Sequence, residues 1–368
     1  MRPTFRLAAA AHHFAALDGY RFVAALFVVL YHYDAEFGIG FSRLSPAVVR
    51  LNAFVDFFFI LSGFVIAVAY RNRMVDEADY FRFLKARVAR LYPLHLLTLA
   101  GSISLLGVAA VTGQKPNHPE ILGLSALPAN LMLIHAWGLI DHPSFNAVSW
   151  SISAEWFCYL LAPLVFLSLR RLPAIVNLAL PVVFVLAMVA ARRAAGLGPW
   201  TEAAYDFGAF RALPAFFLGA LIAFQIERIA AAFPSNALIA PASFVAALAA
   251  LHFQANEIVV AAAFALCIAG SAVRALHRGR DPMASAPMQA LGGVSYTLYM
   301  THYLLATPVL FAARKLGWIG TWSGAMAALA TLCVAVTLCF LIRRYFEMPA
   351  KAAILRMGAP PIKSEARI

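Results

Sequence analysis

Long apolar runs recur along the whole chain, with short polar or basic segments between them. Each run is roughly 20 residues long, which is enough for a helix to cross the hydrocarbon core of a bilayer. The runs cover residues 17–33, 51–70, 92–112, 150–169, 175–191, 209–226, 236–253, 257–273, 291–313 and 321–342. We therefore predict an all-α protein, a polytopic membrane bundle of about ten transmembrane helices.

A further apolar run at 121–139 is interrupted by Pro128 and Asn130. If this run does not span, the N-terminus, the arginine-rich segment 71–90 and the later basic loops all fall on one side of the membrane. That arrangement satisfies the positive-inside tendency, whereas a spanning run would break it. We therefore predict that 113–149 is a long outer loop with a re-entrant or surface helix, and that both termini are cytoplasmic.

Composition supports a membrane protein. The 368 residues are 63% hydrophobic and 12% charged, with a mean hydropathy of +0.79, whereas soluble domains carry about 25% charged residues. The net charge of +12 would suit nucleic acid, but the basic residues lie between apolar runs, where topology determinants belong. The expected partner is therefore the lipid bilayer, not nucleic acid.

The apolar runs form one transmembrane domain over 1–350, followed by a short cytoplasmic tail over 351–368. No additional soluble domain is expected, and the chain after Glu347 is expected to be mobile. No small-residue cleavage site follows the first run, so we expect the first helix to be retained as a span.

The first apolar run carries two ionisable residues, Arg21 and His32. Eleven residues advance a helix by about 16 Å through nearly three full turns, so these two side chains share one face at different depths. Asp18 precedes Arg21 by one turn and could neutralise it. Ionisable groups at membrane depth are costly, so they usually face a protein interior or a water-filled path.

Two carboxylates are predicted at a depth similar to that of His32. Asp56 lies about one turn into the second run, and Glu155 lies at a similar depth in the fourth, just below Trp150 and Ser151. A carboxylate beside an imidazole fixes its tautomer and raises its basicity, which suits a general base. The alternatives are a packing role for the histidine and interhelical hydrogen bonds for the carboxylates.

A cytoplasmic segment reads "FRFLKARVARLYP". Its Arg87 and Arg90 are three residues apart on one helical face, and arginines present forked donors that suit phosphate. Such a segment also serves as a topology determinant or a lipid-headgroup contact. From spacing alone, a proton-coupled transporter and an enzyme remain open.

Several motifs occur in one order over nearly the whole chain. The opening "LDGYRFVAALFVVLYH" is followed by "VDFFFILSGFVI", "RVARLYPLH", "VSWSISAEWFCYL", "LGGVSYTLYMTHY" and "FEMP". In this order they resemble the membrane-bound acyltransferase-3 family, including its R/K-x10-H pattern, its cytoplasmic RxxR element and its terminal E-x-P. One departure is that Trp156 follows a single Glu155, where many members have paired acids.

The resemblance implies transfer of an acyl group, usually acetyl from acetyl-CoA, to sugars of surface or exported polysaccharides. Acyl-CoA would then be a donor substrate, and no permanently bound cofactor or metal is expected. Some members carry an extra extracytoplasmic hydrolase-like domain that is not found after the last run here. If onward acyl transfer needs such a domain, a separate protein must supply it, and polysaccharide-export proteins are expected as partners. The alanine-rich composition and the absence of targeting signals fit a bacterial inner membrane.

The resemblance also implies roles for named residues. His32 would be the general base, oriented by Asp56 or Glu155. The donor phosphates would be held by Arg21, Arg71, Arg73, Arg87 and Arg90. The substrate-binding group would comprise Trp150, Ser151, Tyr296, Tyr299 and His302.

Two alternatives belong to other classes of protein. A secondary transporter would use His32, Asp56 and Glu155 as a proton relay, and would be built from inverted repeats that the sequence does not display. A structural partner in polysaccharide export would tolerate the loss of His32.

Overall fold

The computed structural model describes residues 14–113 and 123–357. Within these ranges the chain forms α-helices and short turns of 3₁₀ or π helix, with no strand, as predicted. The helices are α1 Ala15–Phe37, α2 Phe54–Tyr70, α3 Glu77–Val111, α4 Leu127–Leu131, α5 Trp150–Arg171, α6 Ala174–Ala194, α7 Gly208–Ala232, α8 Ile239–His252, α9 Glu257–Leu276, α10 Ala286–Lys315, α11 Trp322–Ile342 and α12 Met348–Arg356.

All ten predicted runs fall on helices. In the described ranges, eight helical segments are long and apolar enough to cross a membrane by length and composition. Two predicted spans, α8 and α10, are not among these eight, for different reasons. The α8 helix is apolar but has only 14 residues, whereas α10 has 30 residues but no stretch of spanning length that is apolar enough. The fold is therefore the polytopic helical bundle that the sequence predicts.

The described part of the ambiguous run, residues 123–139, contains only a 3₁₀ turn at Leu124–Ala126 and the five-residue α4. Neither is long enough to span. Residues 121 and 122 lie outside the described ranges. The loop after α4 folds back on the bundle, because Ser153 Oγ accepts from the Ala136 N–H at 3.1 Å and donates to the Leu133 carbonyl at 2.8 Å.

The segment after Glu347 differs from its prediction. Residues 348–356 form α12, which continues from α11 through a π turn at Arg343–Glu347. This helix packs on α3, and Lys85 Nζ donates to the carbonyls of Leu355 and Met357. The expected mobility is therefore wrong for 348–357, and residues 358–368 lie outside the described ranges.

Small residues bring α2 and α7 into close contact. A Cβ atom added at Gly63 would overlap the Phe216 carbonyl, and one added at Gly219 would overlap the Ile60 carbonyl. Reciprocal glycines of this kind let two helix backbones approach closely, which is a common source of packing energy between membrane helices. The α2–α7 pair therefore forms the tightest part of the bundle and fixes where the polar residues of both helices lie.

We predict that Gly219→Ala lowers the melting temperature of the purified protein in detergent by several degrees. The added methyl group would force the two backbones apart, and such overpacking costs about 1–3 kcal/mol. Gly107→Ala is the matched control, because a Cβ atom at that position in α3 meets nothing within 4 Å. Equal melting temperatures for the two variants would contradict the close approach of α2 and α7.

Candidate active site

A cavity of about 160 Å³ lies inside the bundle, between α1, α2, α3, α5 and α10. Three guanidinium groups line it, those of Arg21, Arg87 and Arg90. Its other lining residues are Val55, Phe58, Phe59, Leu61, Ser62, Val65, Ile66, Leu91, Ser151, Ile152, Glu155, Tyr159, Ser295, Tyr296 and Tyr299. Seven of the predicted site residues therefore meet at one place, although they come from four different helices.

Arg21 is held by polar groups on two helices. Its Nη2 lies 2.8 Å from Asp18 Oδ1 and donates to the Gly292 carbonyl at 2.9 Å, and its Nε donates to Ser295 Oγ at 2.9 Å. The expected pairing with Asp18 is confirmed. A Cβ atom at Gly292 would collide with the Asp18 backbone, so this glycine allows α10 to approach α1 and complete the site.

Arg90 is neutralised by Glu347. Its Nη1 lies 2.6 Å from Glu347 Oε1, and its guanidinium carbon lies 4.4 Å from the centroid of the Tyr296 ring. Glu347 is buried, and its Oε2 accepts a hydrogen bond from Thr297 Oγ1 at 2.7 Å. The acid of the E-x-P element therefore joins the end of α11 to α3 and α10.

Arg87 differs from both. Among the described residues no ion pair joins it to a carboxylate, and its Nε is buried without a hydrogen-bond partner. Its guanidinium lies over the rings of Tyr70, Phe83 and Tyr159, with centroids 5.5, 5.6 and 5.7 Å from the guanidinium carbon. Within the described ranges, its one hydrogen bond is a long one of 3.4 Å from Nη2 to Tyr70 Oη. Arg87 is thus a cation with unused donors on the wall of a cavity.

Glu155 faces this cavity and not His32. Its Oε1 accepts from Ser62 Oγ at 2.7 Å and from Tyr159 Oη at 2.5 Å. Nearby, Ser151 Oγ and Tyr299 Oη are 2.7 Å apart. The cavity therefore contains a carboxylate and several hydroxyl groups as well as the three arginines.

Asp56 belongs to a different site. Its two carboxylate oxygens accept from Arg211 Nε at 3.1 Å and Arg211 Nη2 at 2.9 Å. The Arg211 residue is 2% exposed, and its guanidinium lies 5.4 Å from the Trp150 ring centroid. Asp56 and Arg211 line a second, apolar cavity between α2, α6, α7 and α9. Trp150 therefore packs against this ion pair, and it does not line the cavity that holds the three arginines.

The expected cluster of His32, Asp56 and Glu155 is therefore wrong. Within the described ranges no hydrogen bond or ion pair joins His32 to either carboxylate. A similar depth was predicted for all three groups, but Asp56 faces α7 and Glu155 faces α2. This separation also removes the contacts that a proton relay through these three groups would need.

His32 is half-buried and lies among aromatic rings. The ring centroid of Tyr31 is 4.9 Å away, that of His302 is 5.3 Å away and that of Tyr303 is 5.5 Å away. His302 is fully buried, and its Nδ1 lies 2.7 Å from the Tyr299 carbonyl oxygen. Because Tyr299 lines the arginine cavity, these two histidines lie just beyond its end.

The remaining predicted arginines lie elsewhere. Arg71 Nη2 is 2.9 Å from Glu227 Oε1, and its Nη1 donates to the Ala223 carbonyl at 2.6 Å. It therefore joins the end of α2 to α7. Arg73 is exposed in the turn after α2. Neither residue lines the arginine cavity as the structure describes it, so their predicted contact with donor phosphates has no support from the geometry.

Sequence reasoning missed Arg211 and Tyr159, and it included Ser295 in the α10 motif without predicting its hydrogen bond from Arg21. A single arginine inside the apolar run 209–226 should have been noticed, because a charge at membrane depth needs a partner. No comparable pattern marks Tyr159, whose role depends on which way α5 is rotated.

The helical bundle defines a polytopic membrane protein, and three arginines line one of its internal cavities. The profile of the acyltransferase domain family (Acyl_transf_3) matches residues 14–344, and the chain belongs to this family. It is 28% identical over 368 residues to "Acyltransferase MdmB" of Streptomyces mycarofaciens, covering 91% of this chain and 90% of that protein. The protein is therefore a membrane acyltransferase.

A second relative matches a shorter segment. "Protein 2 in picA locus" of Rhizobium radiobacter is 49% identical over 88 residues, which is 24% of this chain and 42% of that protein. No solved structure matches the chain significantly.

We predict that Asp56→Asn lowers the melting temperature in detergent by about 10 °C, because it leaves a buried guanidinium without its counterion, at a cost of about 3–5 kcal/mol. The double variant Asp56→Leu with Arg211→Met should recover most of the loss. Glu257→Gln is the control, because that carboxylate lines the same cavity but pairs with Arg50 at the surface. If Asp56→Asn melts like the control, the ion pair is not a structural element.

Proposed function

We propose that this membrane acyltransferase takes an acyl group, in the first instance acetyl, from cytoplasmic acyl-CoA. The acceptor is a carbohydrate hydroxyl on a surface, exported or lipid-linked glycan. The state of Arg87 is the observation that supports this donor. Its guanidinium lines the cavity, its Nε is buried without a partner, and it has no carboxylate partner among the described residues.

The cavity suits the phosphates of CoA. Guanidinium groups bind phosphate through two parallel, charge-assisted hydrogen bonds, which are stronger than neutral ones. Arg21 and Arg90 already share their charge with Asp18 and Glu347, so Arg87 contributes the largest unneutralised charge. Its stacking on aromatic rings keeps the guanidinium in place and leaves its N–H groups available to a ligand.

The ends of the cavity suit the two ends of the donor. Arg87 and Arg90 lie in the first half of the 35-residue α3, on the side that loop charge predicts to be cytoplasmic. Ser151 and Tyr299 lie toward the predicted outer side, near the start of α5. A donor with its phosphates on the arginines would direct its thioester toward the two hydroxyl groups and His32.

His32 is the proposed general base. It would take the proton of the acceptor hydroxyl while the hydroxyl oxygen bonds to the acyl carbon and the thioester C–S bond breaks. The same proton then passes to the CoA sulfur, which leaves as the thiol. The hydroxyl pair of Ser151 and Tyr299 is a candidate donor to the oxyanion, since preorganised donors stabilise such charge strongly.

The acceptor and the setting follow from the family resemblance. We propose polysaccharide-export proteins as partners and a bacterial inner membrane as the location. Both relatives come from bacteria, which supports the second point. The folded outer loop around residues 132–149 is the proposed place for acceptor preference, because binding specificity is commonly carried by loops on a rigid scaffold.

We predict that Arg87→Gln raises the KM for acetyl-CoA by about 10- to 100-fold, because it removes one charge-assisted hydrogen bond that contributes about 1.5–3 kcal/mol. The measurement is release of free CoA and transfer of labelled acetyl by membranes supplied with native glycan extract. S-acetylpantetheine, which lacks the nucleotide phosphates, should be used equally by wild type and variant.

The matched control for this experiment is Arg171→Gln, which removes an exposed arginine at the end of α5, away from the cavity. Its KM for acetyl-CoA should equal that of wild type. If Arg87→Gln raised the KM for acetyl-CoA and for S-acetylpantetheine by the same factor, phosphate binding by this residue would be contradicted.

We predict that His32→Ala lowers glycan-dependent acetyl transfer by about 10²- to 10⁴-fold, the usual contribution of a general base. Binding of acetyl-CoA, measured by calorimetry on purified protein, should be unchanged because His32 does not line the arginine cavity. Full activity in His32→Ala would remove His32 from the chemistry and favour a structural role in export.

A further inference from the structure

We infer that His302 is a positioning residue for His32, an inference that rests on the proposed function. His302 Nε2 accepts a hydrogen bond from the His32 ring during acyl transfer and stabilises the imidazolium that forms. The assignment comes from three observations: the tautomer of His302, an unpartnered nitrogen beside His32, and the engagement of the nearby carboxylates elsewhere.

The tautomer of His302 is fixed by its own helix. Nδ1 lies 2.7 Å from the Tyr299 carbonyl oxygen and 3.2 Å from that of Leu298. A carbonyl oxygen can only accept, so Nδ1 carries the hydrogen. In the neutral ring Nε2 is then an acceptor with a free lone pair. A doubly protonated ring would be an unpaired buried cation, which is unfavourable.

That lone pair has no partner in the described structure. His302 is fully buried, and its Nε2 makes no hydrogen bond. A buried acceptor without a donor is costly, and such atoms are rare unless they serve a function. Nε2 is the ring nitrogen that points away from α10, and His32 is the nearest aromatic ring, with centroids 5.3 Å apart and planes 39° apart.

Contacts between α1 and α10 hold the two rings in this arrangement. Tyr33 Oη donates to the His302 carbonyl at 3.2 Å. One turn above His32, Glu36 Oε1 accepts from Tyr303 Oη at 2.8 Å, and Glu36 Oε2 pairs with Arg314 at 2.7 Å. The relative position of the histidines therefore depends on packed helices and not on a loop.

Each carboxylate that could orient His32 is engaged elsewhere. Asp56 is bound by Arg211, and Glu155 accepts from Ser62 and Tyr159. Glu36 is held by Tyr303 and Arg314. The neutral imidazole of His302 therefore has the orienting role that a carboxylate has beside many catalytic histidines.

The proton balance of the step is simple. One ring nitrogen of His32 takes the acceptor proton and later gives it to the CoA sulfur, as the ester C–O bond forms and the thioester C–S bond breaks. The other ring nitrogen of His32 keeps its hydrogen and makes a hydrogen bond with it to His302 Nε2 during the step. His302 therefore gains no proton, and its effect is on the geometry and basicity of His32.

The test compares three substitutions of His302. His302→Gln can place an amide oxygen near the position of Nε2, whereas His302→Asn is too short and His302→Phe has no acceptor. We expect kcat to fall about 10- to 100-fold for Asn and Phe, as for other residues that orient a catalytic group. The KM for acetyl-CoA should stay within about twofold, and Gln should recover most of kcat.

A double variant and a spectrum separate positioning from folding. In a His32→Ala background, His302→Phe should cause no further loss of activity, because His302 acts through His32. In ¹⁵N NMR of histidine-labelled protein, the His302 signals should show an Nδ1–H tautomer and should shift on His32→Ala. The spectra are recorded without any glycan substrate.

The outcomes distinguish this inference from the proposed function. Wild type that transfers acetyl while His302→Phe keeps its kcat would overturn the role of His302 and leave the acyl-CoA proposal intact. If kcat and melting temperature fell and KM rose together in all three variants, the role of His302 would also be overturned, in favour of a packing role. Wild type that transfers no acetyl from acetyl-CoA would overturn both.

Discussion

A guanidinium group inside a helical bundle needs a counterion, and the pairs that meet this need organise the whole molecule. Removing one partner of a buried pair costs more than the pair contributes, because the remaining charge stays buried. Several of these pairs join segments that are far apart along the chain. The pairs include Arg21–Asp18, Arg71–Glu227, Arg90–Glu347, Arg192–Asp206 and Arg211–Asp56.

Arg87 is an exception to this pattern, because no ion pair joins it to a carboxylate among the described residues. Three aromatic rings surround its guanidinium, and cation–π contacts offset part of the cost of desolvation without using its N–H donors. A carboxylate in the same place would neutralise the charge and occupy those donors. The aromatic rings therefore leave the N–H donors of a buried guanidinium available, which is what the proposed phosphate-bearing donor would need.

The sequence predicted the helices well and the directions in which their side chains face poorly. The apolar runs located ten helices, and the spacing of Arg87 and Arg90 placed both on the cavity. Distance from the end of a run gives depth, so His32, Asp56 and Glu155 were placed at one level. It does not give the direction each side chain faces, which close packing such as that between α2 and α7 decides. The partner of Asp56 lies 155 positions along the chain, and no local pattern links the two.

The polarity of α10 follows from the site that it serves. Tyr296, Tyr299 and His302 recur every three residues and so lie along one face of the helix. Tyr296 packs against Arg90 at 4.4 Å, and Tyr299 Oη lies 2.7 Å from Ser151 Oγ. His302 is the neighbour of His32. One helix face thus runs from the arginines to the proposed base, and a span that carries such a face cannot also be uniformly apolar.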